Sequence, residues 1–161
     1  MARIHKLVPT VPFPDSQTVM LGAGTGAANN YSQAELGKTV KLAGDSRYVL
    51  TAAGDEIEGT IVAVEQATQA GYTIGSVAKY ESGEMFFATA DGIQATPGTG
   101  AIAIGDYVVA GTQVAKDTAR TVYPKVCKAT AAGSALNHKF RVVSFFTGTG
   151  AVGDTLVIER V

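Results

Sequence analysis

Apolar and polar positions alternate in short runs along most of this chain, and the runs are cut by turn residues every eight to twelve positions. Lys38–Leu42, Arg47–Thr51, Thr60–Glu65 and Gly71–Tyr80 read as strands, the last carrying Gly75 where a bulge or a close backbone approach would suit it. Glu84–Thr89, Gly92–Ala95, Tyr107–Ala110, Gln113–Ala115, Lys125–Ala129, Lys139–Phe146 and Thr155–Val161 continue the series. Period-two patterning with regular turn signals marks an all-β barrel or sandwich. The expectation is nine to eleven short, mainly antiparallel strands, because short connections favour antiparallel neighbours. Helical periodicity is poor, and the best helix candidates are the short Ser32–Leu36 and Lys128–Ala135.

Residues 1–30 follow another pattern. Pro9, Pro12 and Pro14 disfavour helix and bias this segment to extended backbone, yet Ile4, Leu7, Val8, Val11 and Phe13 keep it apolar. It reads as an extended N-terminal arm that lies on its own domain or a neighbour, followed by the glycine-rich linker Gly22–Gly26 with Ala27–Asn30. Residues 31–161 then form the β-rich core domain. Within it, Thr99–Gly111 runs from a glycine-rich turn through Gly105-Asp106 into a β-branched stretch, and a shorter echo returns at Gly148–Ile158. Glycine supplies positive φ and aspartate bonds its own backbone, so both phrases read as corners that launch strands.

Composition adds a surface. Of 161 residues 46% are hydrophobic and only 17% charged, so little charge is left to keep copies apart. The net charge is −1 with signs mixed, which argues against a nucleic-acid or anionic-membrane footprint. The single cysteine, Cys127, forms no disulfide with itself and sits in an alternating run as a small buried hydrophobe. Without a run of about 18–20 apolar residues or an uninterrupted signal-peptide core, the expectation is a soluble, intracellular protein.

Candidate chemistry is sparse. Gly22–Gly26 with Asp45 downstream imitates a dinucleotide-binding loop, but prolines precede it and Asn29-Asn30 follow where a strand and a helix are needed. His5 and His138 stand outside metal-ligand spacing, and one cysteine builds no ordinary zinc site. No G-x-S-x-G elbow occurs. Asp55, Glu56 and Glu58 read as a solvated turn or a weak cation site, and Asp45, Asp55, Asp106 and Asp154, each after a glycine, as turn residues. His138 reads as a solvated residue ahead of a strand. The six tyrosines could form a sugar-stacking face, although tryptophan, the preferred stacker, is missing. The expectation is therefore no catalytic, cofactor-binding or metal-binding residues.

Thr60–Glu65, Gly71–Tyr80 and Gly100–Ala110 (GAIAIGDYVVA), with the closing strand Thr155–Val161, resemble the capsid-cement or head-decoration proteins of tailed bacteriophages. The resemblance extends over residues 38–161. It implies a non-enzymatic subunit, made in the host cytoplasm, that binds the outer face of a phage shell and stabilises it. Its implied partners are the major capsid protein and copies of itself as a dimer or trimer. Ile4, Leu7, Val8, Val11 and Phe13 would then be the capsid or subunit interface. A carbohydrate- or ligand-binding β module, and another head–tail or tail component, are the alternatives.

Overall fold

The computed structural model describes residues 16–22, 31–65, 73–113, 123–130 and 138–161. These hold eleven strands and two single-turn 3-10 segments, so the all-β expectation is met. The strands are β1 (Ser16–Leu21), β2 (Thr39–Leu42), β3 (Arg47–Leu50), β4 (Gly59–Glu65), β5 (Thr73–Lys79), β6 (Met85–Ile93), β7 (Thr96–Pro97), β8 (Tyr107–Ala110), β9 (Lys125–Lys128), β10 (Phe140–Phe145) and β11 (Thr155–Arg160).

The first five strands close into a barrel in the order β1-β3-β2-β4-β5, with β5 returning to β1. The later strands run β11-β10-β8-β9-β6, and β11 also pairs with β6, so they close as well. β7 stands outside this ring as a hairpin on β6. Each barrel buries one apolar cluster: Leu21, Val40, Tyr48, Ile61, Val64 and Val77 in the first, and thirteen residues centred on Phe86, Val108, Val126, Phe140, Val142 and Ile158 in the second.

The two barrels are the same structure used twice. In each, the first strand pairs parallel with the third and every other ladder is antiparallel. Registers agree rung for rung. Met20 opposite Arg47 corresponds to Thr89 opposite Lys125, and Val40 opposite Leu50 to Val108 opposite Lys128. The single bulge between fourth and fifth strands falls at Ile61/Ala63 in one and Val142/Ser144 in the other. Bonds entering the second strand repeat too: Gly37 N–H donates to Ile61 C=O at 2.8 Å, and Gly105 N–H to Val142 C=O at 2.8 Å.

Several expectations need correction. Ser16–Leu21, placed in the arm by its prolines upstream, is β1 and completes the first barrel, since its ladders to β3 and β5 satisfy backbone groups that both strands present. The strands are mainly antiparallel, as expected, and the two parallel ladders arise where closure brings the first strand beside the third. Glu84–Thr89 and the start of Gly92–Ala95 merge into one strand, β6 (Met85–Ile93), while Gln94 and Ala95 form the turn into β7. Ser32–Leu36 is a 3-10 turn over Gln33–Glu35, capped by Ser32 and Glu35 in a reciprocal box. Lys128 ends β9 rather than starting a helix, and the rest of that candidate beyond Thr130 lies outside the described residues. Gln113 is not in a strand, and Val114-Ala115 lie outside the described residues. β5 passes through Gly75 unbroken. A Cβ there would strike the Ala63 carbonyl and the Leu21 side chain, so the glycine serves close approach while the bulge belongs to the opposite strand.

Candidate interaction surface

The barrels meet through the connection between β3 and β4. Gly54 N–H donates to Ala110 C=O at 2.8 Å and Ala110 N–H to Asp55 C=O at 2.9 Å, so this connection pairs with the end of β8. Ile57, from the same connection, is 2% exposed and belongs to the second barrel's core. Gln113 reaches back: its amide donates among Thr39 C=O (3.1 Å), Thr39 Oγ1 (2.8 Å), Thr51 C=O (3.0 Å) and Thr51 Oγ1. Glu56 accepts from Lys139 N–H at 3.3 Å and pairs with His138 Nδ1 at 2.5 Å, while Glu58 pairs with Lys139. Glu58 and Lys139 occupy equivalent places in the two barrels, the signature of a local pseudo-twofold relation.

These contacts revise two expectations. The acidic stretch Asp55–Glu58 is neither a solvated turn nor a cation site, because Lys41, His138 and Lys139 engage its three carboxylates. His138 is mostly covered rather than solvated, with Glu56 on one nitrogen and the Tyr107 ring 6.3 Å away.

The turn aspartates behave as expected where the structure describes them. Three Ala-x-Gly-Asp turns recur at Ala52–Asp55, Ala103–Asp106 and Ala151–Asp154. In each, the aspartate carboxylate accepts from the alanine N–H (2.7, 2.7 and 2.9 Å) and the glycine holds φ near +90° (94°, 89° and 95°). Left-handed backbone at that place is what the turn demands and what a side chain resists. Asp154 also accepts from Thr149 N–H (2.9 Å) and Gly150 N–H (3.0 Å). The Asp45 side chain lies outside the described residues.

Buried titratable groups serve the fold. Burial pushes the Asp91 carboxyl up, but Thr112 N–H at 2.7 Å and the Lys125 ammonium at 3.3 Å outweigh it and hold it below the usual carboxylate range. Cys127 is fully buried, and burial together with the Asp91 charge pushes its thiol up to about 11, far from a nucleophile's range. Burial likewise pushes the Tyr80 phenol up to about 12, with Thr60 sharing its hydroxyl bond. No group of three or more His, Cys, Asp or Glu poised for a metal occurs among the described residues. No described helix is long and apolar enough to cross a membrane.

Among the described residues, six large hydrophobic side chains stand exposed: Met20, Leu42, Ile104, Phe146, Val152 and Val161. Ile104 and Val152 sit at the second positions of two of the aspartate turns and are 59% and 44% exposed. Those turns adjoin, since Ile102 N–H donates to Gly150 C=O at 2.9 Å. Phe146 is 64% exposed and stacks edge-on against Phe87 at 5.0 Å, which in turn meets Tyr123 at 5.2 Å. Sequence reasoning missed this surface. The signal was the doubled Phe145-Phe146, in which alternation turns one ring inward and the next outward. Ile4, Leu7, Val8, Val11 and Phe13, the interface residues expected from the sequence, lie outside the described residues. Comparison with family models, curated proteins and solved structures finds no match to this chain.

Proposed function

We propose that this chain is a non-enzymatic structural subunit of a virion, binding the outer surface of a tailed-phage shell and stabilising it. The observation that carries the reading is the division of labour on its surface. The carboxylates of Glu35, Asp55, Asp106 and Asp154 are engaged by backbone N–H groups, whereas Ile104, Phe146 and Val152 project into solvent. Those carboxylates build corners, and the exposed apolar side chains, set among polar ones, are left available for contact. Many identical modest contacts suit a subunit repeated over a shell, because avidity multiplies weak affinities. Of the four segments of the cement-protein resemblance, Gly100–Ala110 carries the exposed Ile104 and is bonded through Ile102 to the Gly150 carbonyl, beside the turn that bears Val152.

In this reading the partners are the coat protein and further copies of the chain, and the apolar arm residues Val11 and Phe13 contribute to attachment. The test is co-sedimentation of purified chain with empty expanded shells of a tailed-phage coat protein taken from the genome that encodes the chain. Saturable binding and a raised shell melting temperature are expected. Val11→Asp and Phe13→Asp should weaken binding at least tenfold while leaving the chain's own melting temperature unchanged. Absence of binding to such shells at micromolar chain would overturn the reading.

A further inference from the structure

The duplication supplies an internal control on how firmly each strand is held. Ser16–Leu21 of β1 and Met85–Ala90 of β6 occupy equivalent rungs, yet four of the six are buried in β6 (Phe86, Phe87, Ala88 and Ala90) and only Leu21 in β1. Gln17 stands where the second barrel has Phe86, on the side that faces the interior, and it is polar and exposed. Of β1, only Leu21 and the half-buried Val19 reach the first core. The connections differ as well. β6 is entered from Tyr80 through the turn Glu81–Glu84, closed by Glu84 N–H on Glu81 C=O at 3.1 Å, and is left by the hairpin into β7. Between Leu21 and Tyr31 lie nine residues, three of them glycine, a length that extended would reach about 30 Å. A strand with few buried contacts belongs to the low-stability end of a fold.

The place β1 fills is framed without it. Tyr31, at the far end of that connection, donates its N–H to Thr73 Oγ1 of β5 at 3.0 Å, and its hydroxyl accepts from Leu50 N–H of β3 at 2.9 Å. Those are the two strands that β1 separates, with Leu21 opposite both Thr73 and Tyr48. Three antiparallel ladders that do not involve β1 join β3 to β2, β2 to β4 and β4 to β5. Departure of β1 would bare two strand edges on a standing four-stranded sheet, and bare edges recruit strands.

We propose that β1 is an exchangeable strand, and that the slot between β3 and β5 takes Ser16–Leu21 of a second copy of this chain. The occupant follows from the slot. Its edges offer six antiparallel rungs on one side and two parallel rungs on the other, with an apolar interior at the places of Val19 and Leu21. The β1 of another copy meets every one of these demands, since it is the same sequence. Reciprocal exchange between two copies leaves no edge open, so it closes at a dimer. Exchanged and unexchanged forms hold identical ladders, so mass action decides between them. The proposal deepens the reading of the chain as a subunit that assembles with its own copies, and rests on it only for its consequence. Crowding on a shell would favour exchange and tie neighbours together.

The test mixes two full-length variants, Thr18→Cys and Ser76→Cys, unfolds them together in urea, refolds them under reducing conditions at high-micromolar chain and then oxidises them. Thr18 and Ser76 oppose each other across β1–β5 on the outer side, and Cys127 is buried away from the oxidant. Each chain holds only one of the two new cysteines, so they meet only if β1 of one copy lies on β5 of another. A disulfide-linked pair on a non-reducing gel is expected, at least fivefold more abundant than when Thr112→Cys, exposed in the second barrel, replaces Ser76→Cys. Single chains alone in the first mixture, or equal linkage in both mixtures, would overturn the proposal. Hydrogen exchange of the unsubstituted chain gives a second reading: the Val19 amide should exchange at least a hundredfold faster than that of Ala88, its equivalent in β6. Equal protection would mean that β1 does not detach, and overturns exchange likewise. Neither measurement uses shells, so failed shell binding and failed strand exchange are separable.

Discussion

Replacing Ile57 and Leu42 in turn by alanine tests how the barrels are joined. Isoleucine and leucine are isomers, so each change deletes the same three carbons and only the surroundings differ. Ile57 is 2% exposed and sits in the core of a barrel to which its own flanking strands do not belong. Leu42, at the end of β2, is 54% exposed. At about 0.8 kcal/mol per buried methylene, the Ile57 deletion forfeits roughly 2.4 kcal/mol of transfer free energy. The cavity left between two barrels that cannot collapse independently brings the loss to about 3–4 kcal/mol. For Leu42→Ala the loss should stay below about 1 kcal/mol. The assay is urea unfolding at low micromolar chain, followed by far-UV circular dichroism. Because Ile57 lies on the connection of one barrel and in the core of the other, one transition with an unchanged slope is expected. A loss under about 1 kcal/mol for Ile57→Ala, or an equal loss for both variants, would refute the plug.

Asp154→Ala strands three N–H groups, at Thr149, Gly150 and Ala151, and should cost about 2–4 kcal/mol by thermal melting, against about 1 kcal/mol for Asp106→Ala, which strands one turn N–H. The alkaline limb follows from Cys127 and Tyr80: both stay neutral in the folded chain to about 11 and about 12, while the unfolded chain ionises from about 9 upward. The unfolded state then holds fewer protons, so stability is full below about pH 9 and falls as pH climbs through those folded values; Cys127→Val should flatten the first part of that fall. Asp91 works in the opposite sense, its stabilisation being present above the unfolded carboxylate range of about 4 and lost as pH falls through its lower folded value, so Asp91→Asn should make the acid limb shallower. At pH 8 a thiol reagent should modify Cys127 only as fast as the chain opens, and rapid labelling of folded protein would refute its burial.

Strand existence was legible because alternation and turn chemistry are local, and the aspartate turns carry their own signal in Gly105-Asp106 and Gly153-Asp154. Closure was not legible. Whether β11 meets β6 depends on stagger summed around five ladders, to which no single stretch of sequence testifies. Nor did the prolines upstream of Ser16 reveal where the first strand begins, since an extended reading of residues 1–30 does not separate Ser16–Leu21 from what precedes it. The roles of Phe86 and Phe87 were hidden for a related reason: they are neighbours in sequence and both buried, and only the register says which ring enters the barrel core and which packs against Tyr123 and Phe146.

The duplication itself escaped because the two barrels fill one shape from opposite walls. Leu21 faces the space beside Gly75 in the first barrel, and at the matching places the second has Ala90 and Leu156. Tyr48 gives way to Val126 on the third strand, while Gly59 gives way to Phe140 on the fourth. A close-packed interior constrains the sum of side-chain volumes more tightly than the identity at any one position, so large-for-small exchanges across a barrel erase sequence similarity while keeping the backbone. What survives is what volume cannot trade: the positive-φ glycines at Gly37 and Gly105 and the bulge in the fourth strand. Surface positions answer to neither constraint. Thr18, exposed in one barrel, is matched in the other by Phe87, which is buried against Tyr123 and Phe146, so the same rung carries extra packing where the chain folds rings over it.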